Sequence, residues 1–383
     1  PERATELQHA LMAALPTGTV HGAASGTTSA FGPWNPVAAE LPLARVICNT
    51  AADVAVALKV ASGFDVPVTV CAGRDDCFGR NSRADALALD LRKLHAVAYA
   101  GAGTVDIGGA VTTGGLLRAL PPDIVTPTTV NAHVGLVGAL TGGGYGGLIG
   151  RHGLTCDALE SADMVLADGE RVTASADANG ELFWALKGGG NGFGVVTSAR
   201  LRVYDCPAML SAQIGFALLD ARMALRTMQA LLDDFPVQLS IVPLFTRTMD
   251  KTATLSMNAV WNGPDDIGRR VLRALSESPG AAVEALTPVS YRDTLDPGDI
   301  WPWHHHWAVQ TRTFKRIDDD VAERLVDGAA RMPRGLANLF LHDFHGRATK
   351  FGQREAAFAL RECHYVEAAC GMSSPGDPEA TSA

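Results

Sequence analysis

The amino-terminal part of the chain alternates short apolar runs with one stretch of helical periodicity. Apolar runs at residues 45–48 and 66–70 flank residues 49–61, in which apolar positions recur every three or four residues. Thr50 stands at the start of this stretch and is suited to cap a helix. The order predicts a strand–helix–strand unit, right-handed if the two strands are parallel. Three further elements are predicted downstream, strands at 86–91 and 104–109 and a helix at 113–120.

The pattern changes after the middle of the chain. Residues 162–174 alternate apolar and polar positions around an Asp-Gly pair, which predicts a hairpin. A helix at 181–187 and a strand entered through 192–203 follow. Beyond about residue 204, helices are predicted at 221–234, 265–277 and 317–331, and strands at 238–245, 252–260, 306–314 and 336–345. The sequence therefore predicts an α+β fold in two domains, 1–204 and 205–383, the second with an antiparallel sheet flanked by helices.

Composition and charge narrow the functional class. The 383 residues are 47% hydrophobic and 19% charged, with a net charge of −9, which is typical of a globular protein and argues against binding to a nucleic-acid backbone. No apolar run reaches the length of a membrane span, and the first residues lack the pattern of a secretory signal. The seven cysteines are widely spaced and form no zinc-binding motif. We therefore expect a cytoplasmic protein without a membrane or nucleic-acid partner.

Glycine is more frequent in this chain than in an average protein, and its distribution is informative. The chain has 40 glycines, and they cluster at 101–115, 135–153 and 188–194. Backbone without side chains can approach a ligand closely, and consecutive N–H groups can bind a phosphate. A flexible loop is the alternative interpretation of the same glycine-rich sequence. The spacing fits neither the dinucleotide fingerprint of nicotinamide enzymes nor a P-loop. Several glycine loops in one half of a chain favour a long ligand with a central diphosphate, such as FAD.

Several motifs then follow in a fixed order that is specific as a set. They are the polar loop 71–82, Val134-Gly-Leu-Val-Gly, Thr141-Gly-Gly-Gly-Tyr-Gly, Arg151-His-Gly-Leu-Thr-Cys-Asp, Glu181-Leu-Phe-Trp-Ala-Leu-Lys and Gly192-Phe-Gly-Val-Val-Thr. This succession resembles the berberine-bridge-enzyme-like flavin oxidases of the vanillyl-alcohol-oxidase superfamily. The resemblance is close over 44–204 and looser through 342–346 and 357–361.

The resemblance implies a PCMH-type FAD-binding domain over 1–204 and a substrate domain over 205–383 whose antiparallel sheet covers the isoalloxazine ring. It also implies that the usual carboxyl-terminal return segment is missing. The cofactor-binding residues that it implies are Ala72, Gly73, Arg74, Asp75, Asp76, Cys77, Gly79, Arg80, Asn81, Ser82, Val134, Gly135, Gly138, Thr141, Gly142, Gly143, Gly144, Tyr145, His152, Gly153, Asp157, Gly192, Gly194 and Val196.

The chain departs from the family at both covalent flavin anchors. The family's histidine, which bonds to the flavin 8α-methyl, is replaced by Asp75, and no cysteine occupies residues 130–133. A carboxylate cannot form the histidyl link, so we expect non-covalent FAD. Arg74 either pairs with a phosphate of the cofactor or lies on a solvated surface with Asp75.

Five side chains are candidates for the catalytic base: Tyr145, His306, His342, His345 and Tyr365. Histidine has a suitable pKa for base catalysis near neutral pH, but packing is the alternative role for each of them. The heptapeptide Trp301-Pro-Trp-His-His-His-Trp does not predict a metal site, because neighbouring side chains on a strand point to opposite faces.

The resulting hypothesis is an FAD-dependent oxidoreductase that oxidises a small, largely apolar, natural-product-like molecule, with O₂ as the acceptor. Two alternatives on the same fold stay open. One is a redox-neutral cyclase or isomerase, suggested by Asp75, and the other is a protein that sequesters a small molecule.

Overall fold

The structure is a computed structural model that describes residues 2–22, 35, 40–73, 75–206, 208–233, 236–247, 252–295, 305–333 and 337–373. Arg74 lies outside these ranges, as do residues 301–304 of the aromatic heptapeptide.

A small sheet with parallel strands forms the amino-terminal layer. Its elements are α1 (Glu2–Ala14), β1 (Thr19–Gly22), β2 (Ala44–Ile47), α2 (Ala51–Gly63), β3 (Val68–Cys71) and β4 (Leu87–Asp90). The strand order is β1-β2-β4-β3, and β2 and β3 both run parallel to β4. The predicted strand–helix–strand unit is therefore confirmed, with Thr50 at the helix N-cap.

The carboxylate of Asp53 fixes the start of α2 against the preceding chain. This fully buried side chain accepts hydrogen bonds from the backbone N–H groups of Thr17, Gly18, Asn49 and Thr50 and from the hydroxyls of Thr17 and Thr50. Burial alone would raise the pKa of Asp53, but these hydrogen bonds outweigh it and hold the pKa below its ordinary value.

A second, antiparallel sheet follows along the chain. Its region contains β5 (Val97–Tyr99), β6 (Thr104–Gly108), α3 (Thr113–Ala119), β7 (Ile124–Val125), α4 (Leu136–Gly142), α5 (Ile149–His152), β8 (Leu159–Val165), β9 (Arg171–Ser175), α6 (Gly180–Leu186), β10 (Val195–Arg202) and β11 (Tyr204–Asp205). The sheet has the order β5-β6-β10-β8-β9, and β7 pairs separately with β11. Glycine-bearing loops follow β3, flank α4 on both sides and follow α6.

The third layer is a large antiparallel sheet with helices on one side. Its elements are β12 (Met209–Ala217), α7 (Ala221–Asp233), β13 (Leu239–Arg247), β14 (Thr254–Trp261), α8 (Asp265–Ser276), β15 (Ala282–Val289), β16 (His306–Phe314), α9 (Asp319–Arg331), β17 (Ala337–Phe344) and β18 (His364–Ser373). The strand order is β15-β12-β14-β13-β17-β18-β16. Core residues such as Phe245, Leu272 and Leu341 lie between this sheet and α7–α9.

The other side of this sheet, which we call the inner face, is turned toward the first two layers. Val260 and Val289 on that face pack against the core of the second sheet. The chain between β17 and β18, residues 345–363, crosses back to that core. We call it the linking segment; its Ala348 and Phe358 pack there.

The predicted α+β fold is confirmed, and the predicted elements differ by only a few residues at their ends. The periodicity did not predict the short strands β1, β5, β7 and β11 or the longer strands β12, β15 and β18. In β15 a proline at position 288 interrupts the strand pattern, which is tolerated because β15 is an edge strand. None of the helices in the described ranges combines the length and apolar character required to span a bilayer.

Asp53→Asn should lower the free energy of unfolding at pH 7 by about 2 kcal/mol, because the charged acceptor of several backbone N–H groups is lost. The difference from the wild type should shrink as the pH falls through the lowered pKa of Asp53, since the carboxylate stabilises the fold only when ionised. Urea unfolding at pH 7 and at acid pH measures both effects. The exposed Asp327→Asn is the control; an equal loss in both variants would contradict the role of Asp53.

Candidate active site

Two of the glycine loops meet through their backbones. A side-chain carbon on Gly73 would lie only 2.4 Å from the backbone nitrogen of Gly135. In a third loop, the N–H of Gly190 donates to the carbonyl of Thr141 at 2.8 Å. The loops after β3, around α4 and after α6 therefore converge on one region.

Four glycines in this region border open space. A side-chain carbon on Gly138, Gly142, Gly190 or Gly192 would meet no heavy atom within 4 Å. We call these four residues the glycine cradle. Because no described heavy atom lies within 4 Å of these positions, a ligand can approach the chain closely there.

Other predicted glycines are tightly packed instead. A side-chain carbon on Gly143 would lie 2.8 Å from Phe358, and one on Gly144 would lie 2.3 Å from the Thr155 hydroxyl. At Gly194 (φ 139°) it would lie 2.8 Å from the Val165 carbonyl. These glycines permit close packing and positive φ, whereas the cradle leaves space free.

The loop at 75–82 carries its own polar network. Asp76 and Arg80 form a two-point ion pair, with Arg80 Nη2 and Nε at 2.7 and 3.0 Å from Asp76 Oδ1. Asn81 is buried, and its carboxamide oxygen has no hydrogen-bond partner among the described residues. Burial, together with the charge of Asp76, raises the pKa of the Cys77 thiol. The loop thus offers one buried, unpartnered acceptor.

Ala72, Asp75, Gly79, Ser82 and Val134 accompany these residues. Asp75 is half-buried. Gly79 adopts a positive φ of 69°, and the hydroxyl of Ser82 donates to the carbonyl of Glu40.

The remaining residues of the predicted set pack elsewhere in the second layer. His152 stacks on Tyr204 with ring centroids 4.0 Å apart, and burial beside Arg151 and Arg347 lowers its pKa to about 4. Asp157 is ion-paired with Arg361. A side-chain carbon on Gly153 would lie 2.6 Å from Asp157 Oδ2, and Val196 is 7% exposed within the core. The described structure shows these contacts for the four residues, and their role toward FAD stays a prediction.

Tyr145 meets the inner face of the large sheet. Its hydroxyl lies 2.8 Å from Nε2 of His364, the first residue of β18. Around the phenol ring are the rings of His342, Phe344 and Phe358, with centroids at 6.0, 5.6 and 6.2 Å. The pair therefore lies where the second layer and the large sheet come together.

The hydrogen bonds of His364 define the direction of proton donation. Its Nδ1 is 2.7 Å from the backbone carbonyl of Glu362. Because a carbonyl oxygen only accepts, Nδ1 carries the proton, and neutral Nε2 accepts from the Tyr145 hydroxyl. Burial lowers the pKa of His364, although the Glu362 carbonyl opposes this effect, and burial raises the pKa of Tyr145. At neutral pH, the pair is thus a neutral phenol donating to a neutral imidazole.

Three predicted catalytic residues do not join this pair. Tyr365 points into the helix-side core, where it stacks on Phe314 with centroids 5.6 Å apart. His345 is fully buried beside Asp343 and Gly150. His306 begins β16 and alternates with Trp307, whose side chain lies on the inner face with Cys370. His342 does reach Tyr145, and burial lowers its pKa.

Among the strand side chains that the structure describes, none on the inner face is charged. The pairing register and strand alternation place uncharged polar residues there, which include Ser211, Gln213, Ser256, Asn258, Thr246, Asn338 and Thr311. Between them lie apolar residues including Val242, Leu244 and Phe340. Within the described ranges, no cluster of His, Cys, Asp or Glu has the arrangement of a metal site.

Comparison with known proteins matches the first two layers to a cofactor-binding family. A family described as an FAD binding domain matches residues 42–175. The chain contains an FAD-binding domain. The matched residues include Gly138 and Gly142 of the glycine cradle and the loop at 75–82.

Relatives of the chain are oxidoreductases. An FAD-linked oxidoreductase of Aspergillus niger is 34% identical over 43% of this chain and 36% of its own length. (R)-6-hydroxynicotine oxidase of Paenarthrobacter nicotinovorans is 32% identical over 43% of this chain and 36% of its own length. The alignments thus span about a third of each of these relatives.

The fold as a whole superposes on solved structures that include a BBE-like protein of Physcomitrella patens, with a TM-score of 0.86 at 18% identity over 98% of this chain and 85% of that chain. Glucooligosaccharide oxidase of Acremonium strictum superposes with a TM-score of 0.86 at 20% identity, covering 98% of this chain and 84% of that enzyme. The FAD of that enzyme is described as 6-S-cysteinyl and 8α-N1-histidyl. At this identity the likeness shows the fold.

The residues of the FAD-binding domain fit the cofactor. The open glycine cradle admits the close backbone approach that a dinucleotide requires, and the buried Asn81 oxygen offers an unpartnered acceptor. His364, Phe358 and Arg361 were not among the predicted site residues. Phe358 and Arg361 lie in the segment 357–361 that is part of the resemblance, and Tyr365 is next to His364, but only the structure shows which of these side chains meet Tyr145.

Gly138→Leu should weaken FAD binding by about tenfold or more, because the new side chain occupies the open side of the cradle. The fold itself should be unharmed, since leucine favours the helix over glycine by up to about 1 kcal/mol. Titration of the apoprotein with FAD, followed by fluorescence, measures the affinity. Gly63→Leu is a matched control, because Gly63 is also a helix residue and a side chain there would likewise point into open space. Equal FAD affinity in the two variants would contradict this location of the cofactor.

Proposed function

We propose that the chain is an FAD-dependent oxidase of a small, uncharged substrate, with Tyr145 and His364 as the proton-accepting pair. The observation that carries the proposal is the hydrogen bond from Tyr145 to His364 at the meeting of the FAD-binding domain and the inner face. The oxidoreductase relatives support the reaction class.

Bound FAD would supply the acceptor for a hydride from a substrate carbon. The chain supplies the route for the accompanying proton. Tyr145 oxygen keeps lone pairs that accept a proton from a substrate O–H or N–H, while its own proton passes to Nε2 of His364. Because Nδ1 of His364 is held by the Glu362 carbonyl, Nε2 stays directed at Tyr145. The aromatic rings of Phe344 and Phe358 exclude water from one side of the phenol.

The inner face supports an uncharged substrate. A carboxylate or ammonium group buried against it would lack a countercharge, which is costly. Amide and hydroxyl side chains such as Asn258, Gln213 and Ser256 suit hydroxyl or carbonyl groups, while Leu244 and Phe340 suit apolar surface. This combination fits a small, oxygen-bearing, natural-product-like molecule with apolar surface.

Non-covalent FAD follows from the residues at the anchor positions. Asp75 cannot form a histidyl link, and residues 130–133 contain no cysteine. Without these bonds, the cradle and the loop at 75–82 provide the attachment.

Reoxidation by O₂ can be tested without knowing the substrate. After anaerobic photoreduction of the FAD-loaded protein, admission of air should restore the oxidised spectrum rapidly and produce hydrogen peroxide in an amount equal to the FAD. Slow reoxidation without peroxide would reject O₂ as the acceptor. A substrate converted without flavin bleaching in the absence of air would instead favour a redox-neutral cyclase or isomerase. Tight binding of a compound without any product would favour sequestration.

Tyr145→Phe should lower kcat by about a hundredfold or more with little change in KM, because it removes the proton acceptor but keeps the ring contacts.

In the wild type, kcat/KM should fall as the pH drops through the lowered pKa of His364, since a protonated imidazole ring cannot accept the proton of Tyr145. A panel for finding a substrate begins with glucooligosaccharides, 6-hydroxynicotine and neutral aromatic alcohols. Tyr291→Phe, which also loses a buried hydroxyl, is the control; equal losses of kcat would contradict the assignment.

Acid precipitation tests the attachment of the cofactor. All of the yellow colour should remain in the supernatant after the protein is precipitated, because the links at Asp75 and residues 130–133 are absent. Colour in the pellet would refute non-covalent binding and point to another anchoring residue.

A further inference from the structure

Arg361 ties the linking segment to the FAD-binding domain. Its Nη1 and Nη2 atoms lie 2.9 and 2.8 Å from the two carboxylate oxygens of Asp157. The side chains are only 9% and 0% exposed. Such a two-point contact fixes direction as well as distance.

The same guanidinium organises its own segment. Its Nε donates to the carbonyl of Phe358 at 3.2 Å, and Nη1 donates to the carbonyl of Ala348 at 3.0 Å. The guanidinium also lies over the rings of Phe358 and Phe351, at 5.1 and 5.2 Å from their centroids. Arg361 is therefore constrained by contacts on several sides, and it constrains Phe358 in turn.

Phe358 transmits this constraint to the site. It fits against two glycines, since a side-chain carbon would lie 2.8 Å from Phe358 at Gly143 and 2.5 Å from it at Gly188. Its ring meets Tyr145 edge-on. The space available to Phe358 is thus shaped by the loop that carries Tyr145 and by the loop after α6.

On its other side, Arg361 is three residues from His364. The chain enters β18 at His364, whose ring stacks on Phe344 with centroids 4.4 Å apart. Phe358 and His364, which both contact Tyr145, therefore lie three residues before and three residues after one anchored side chain.

We propose that Arg361, held by Asp157, is a positioning residue that sets the Tyr145–His364 hydrogen bond through Phe358 and the start of β18. The proposal rests on the proposed function only for the catalytic meaning of that hydrogen bond. The geometric coupling can be measured in a protein that turns over no substrate.

The test is ¹⁵N-histidine NMR of the FAD-loaded protein, with the His364 signal identified by its absence in His364→Asn. In the wild type, His364 should be the Nδ1–H tautomer across neutral pH. Tyr145 and His342 face its ring, and the Lys315–Glu362 ion pair near it in sequence is exposed. Arg361→Gln should give a mixture of tautomers and a rise in the pKa of His364 toward its ordinary value of about 6.5. The reason is that the ring becomes less buried and loses its fixed hydrogen bond to the Glu362 carbonyl.

Two further variants make the outcome decisive. Phe358→Leu keeps the Arg361–Asp157 pair and should shift His364 in the same way. Arg200→Gln removes a comparable two-point pair with Asp106 on the exposed side of the second sheet and should leave His364 unchanged. If Arg361→Gln fails to fold, Phe358→Leu decides alone.

An unchanged His364 tautomer and pKa in folded Arg361→Gln, or in Phe358→Leu, would overturn the proposal. A His364 signal that depends on Arg361, together with a Tyr145→Phe variant of undiminished turnover, would uphold the positioning and reject the proposed function. The predicted loss of turnover in Tyr145→Phe, together with a His364 signal that does not change in Arg361→Gln, would uphold the proposed function and reject the positioning role of Arg361.

Discussion

The ion pair between Asp157 and Arg361 holds the two parts of the site together. A buried ion pair contributes little net stability, because desolvation offsets most of the attraction. Its importance here lies in direction. Asp157 also accepts the N–H of Leu154 at 2.9 Å, so one carboxylate fixes both the turn at residues 154–157 and the linking segment. The large sheet is thereby attached to the FAD-binding domain at the place where Tyr145 meets His364.

The site depends on backbone shape more than on reactive side chains. Gly73 and Gly135 touch without intervening side chains, while the glycine cradle leaves its own surface open. Tyr145 and His364 come from two different elements, the loop after α4 and the start of β18. In the proposed function each element carries one half of the proton path, because the phenol contacts the substrate and the imidazole takes up the proton of the phenol.

Periodicity in the sequence was sufficient for most of the fold. Residues 49–61 and the three helices of the large sheet were predicted because each buries one apolar stripe. β15 and β18 were missed because Pro288 and the small residues near 368–371 break the alternation. The glycine loops and Tyr145 were predicted from motif order. Which of His364 and Tyr365 faces the phenol depends on strand register, and register is set by long-range pairing that a single sequence does not encode locally.

Strand alternation in the large sheet separates the residues that stabilise the core from the residues that face the proposed substrate. Ile241 and Phe245 belong to the core beneath α7 and α9, whereas Val242 and Leu244, their immediate neighbours, belong to the inner face. Under the proposed function, a substitution at an inner-face position alters which substrates bind and leaves the packed core unchanged. Such a sheet would let the substrate range change by single steps that cost little stability.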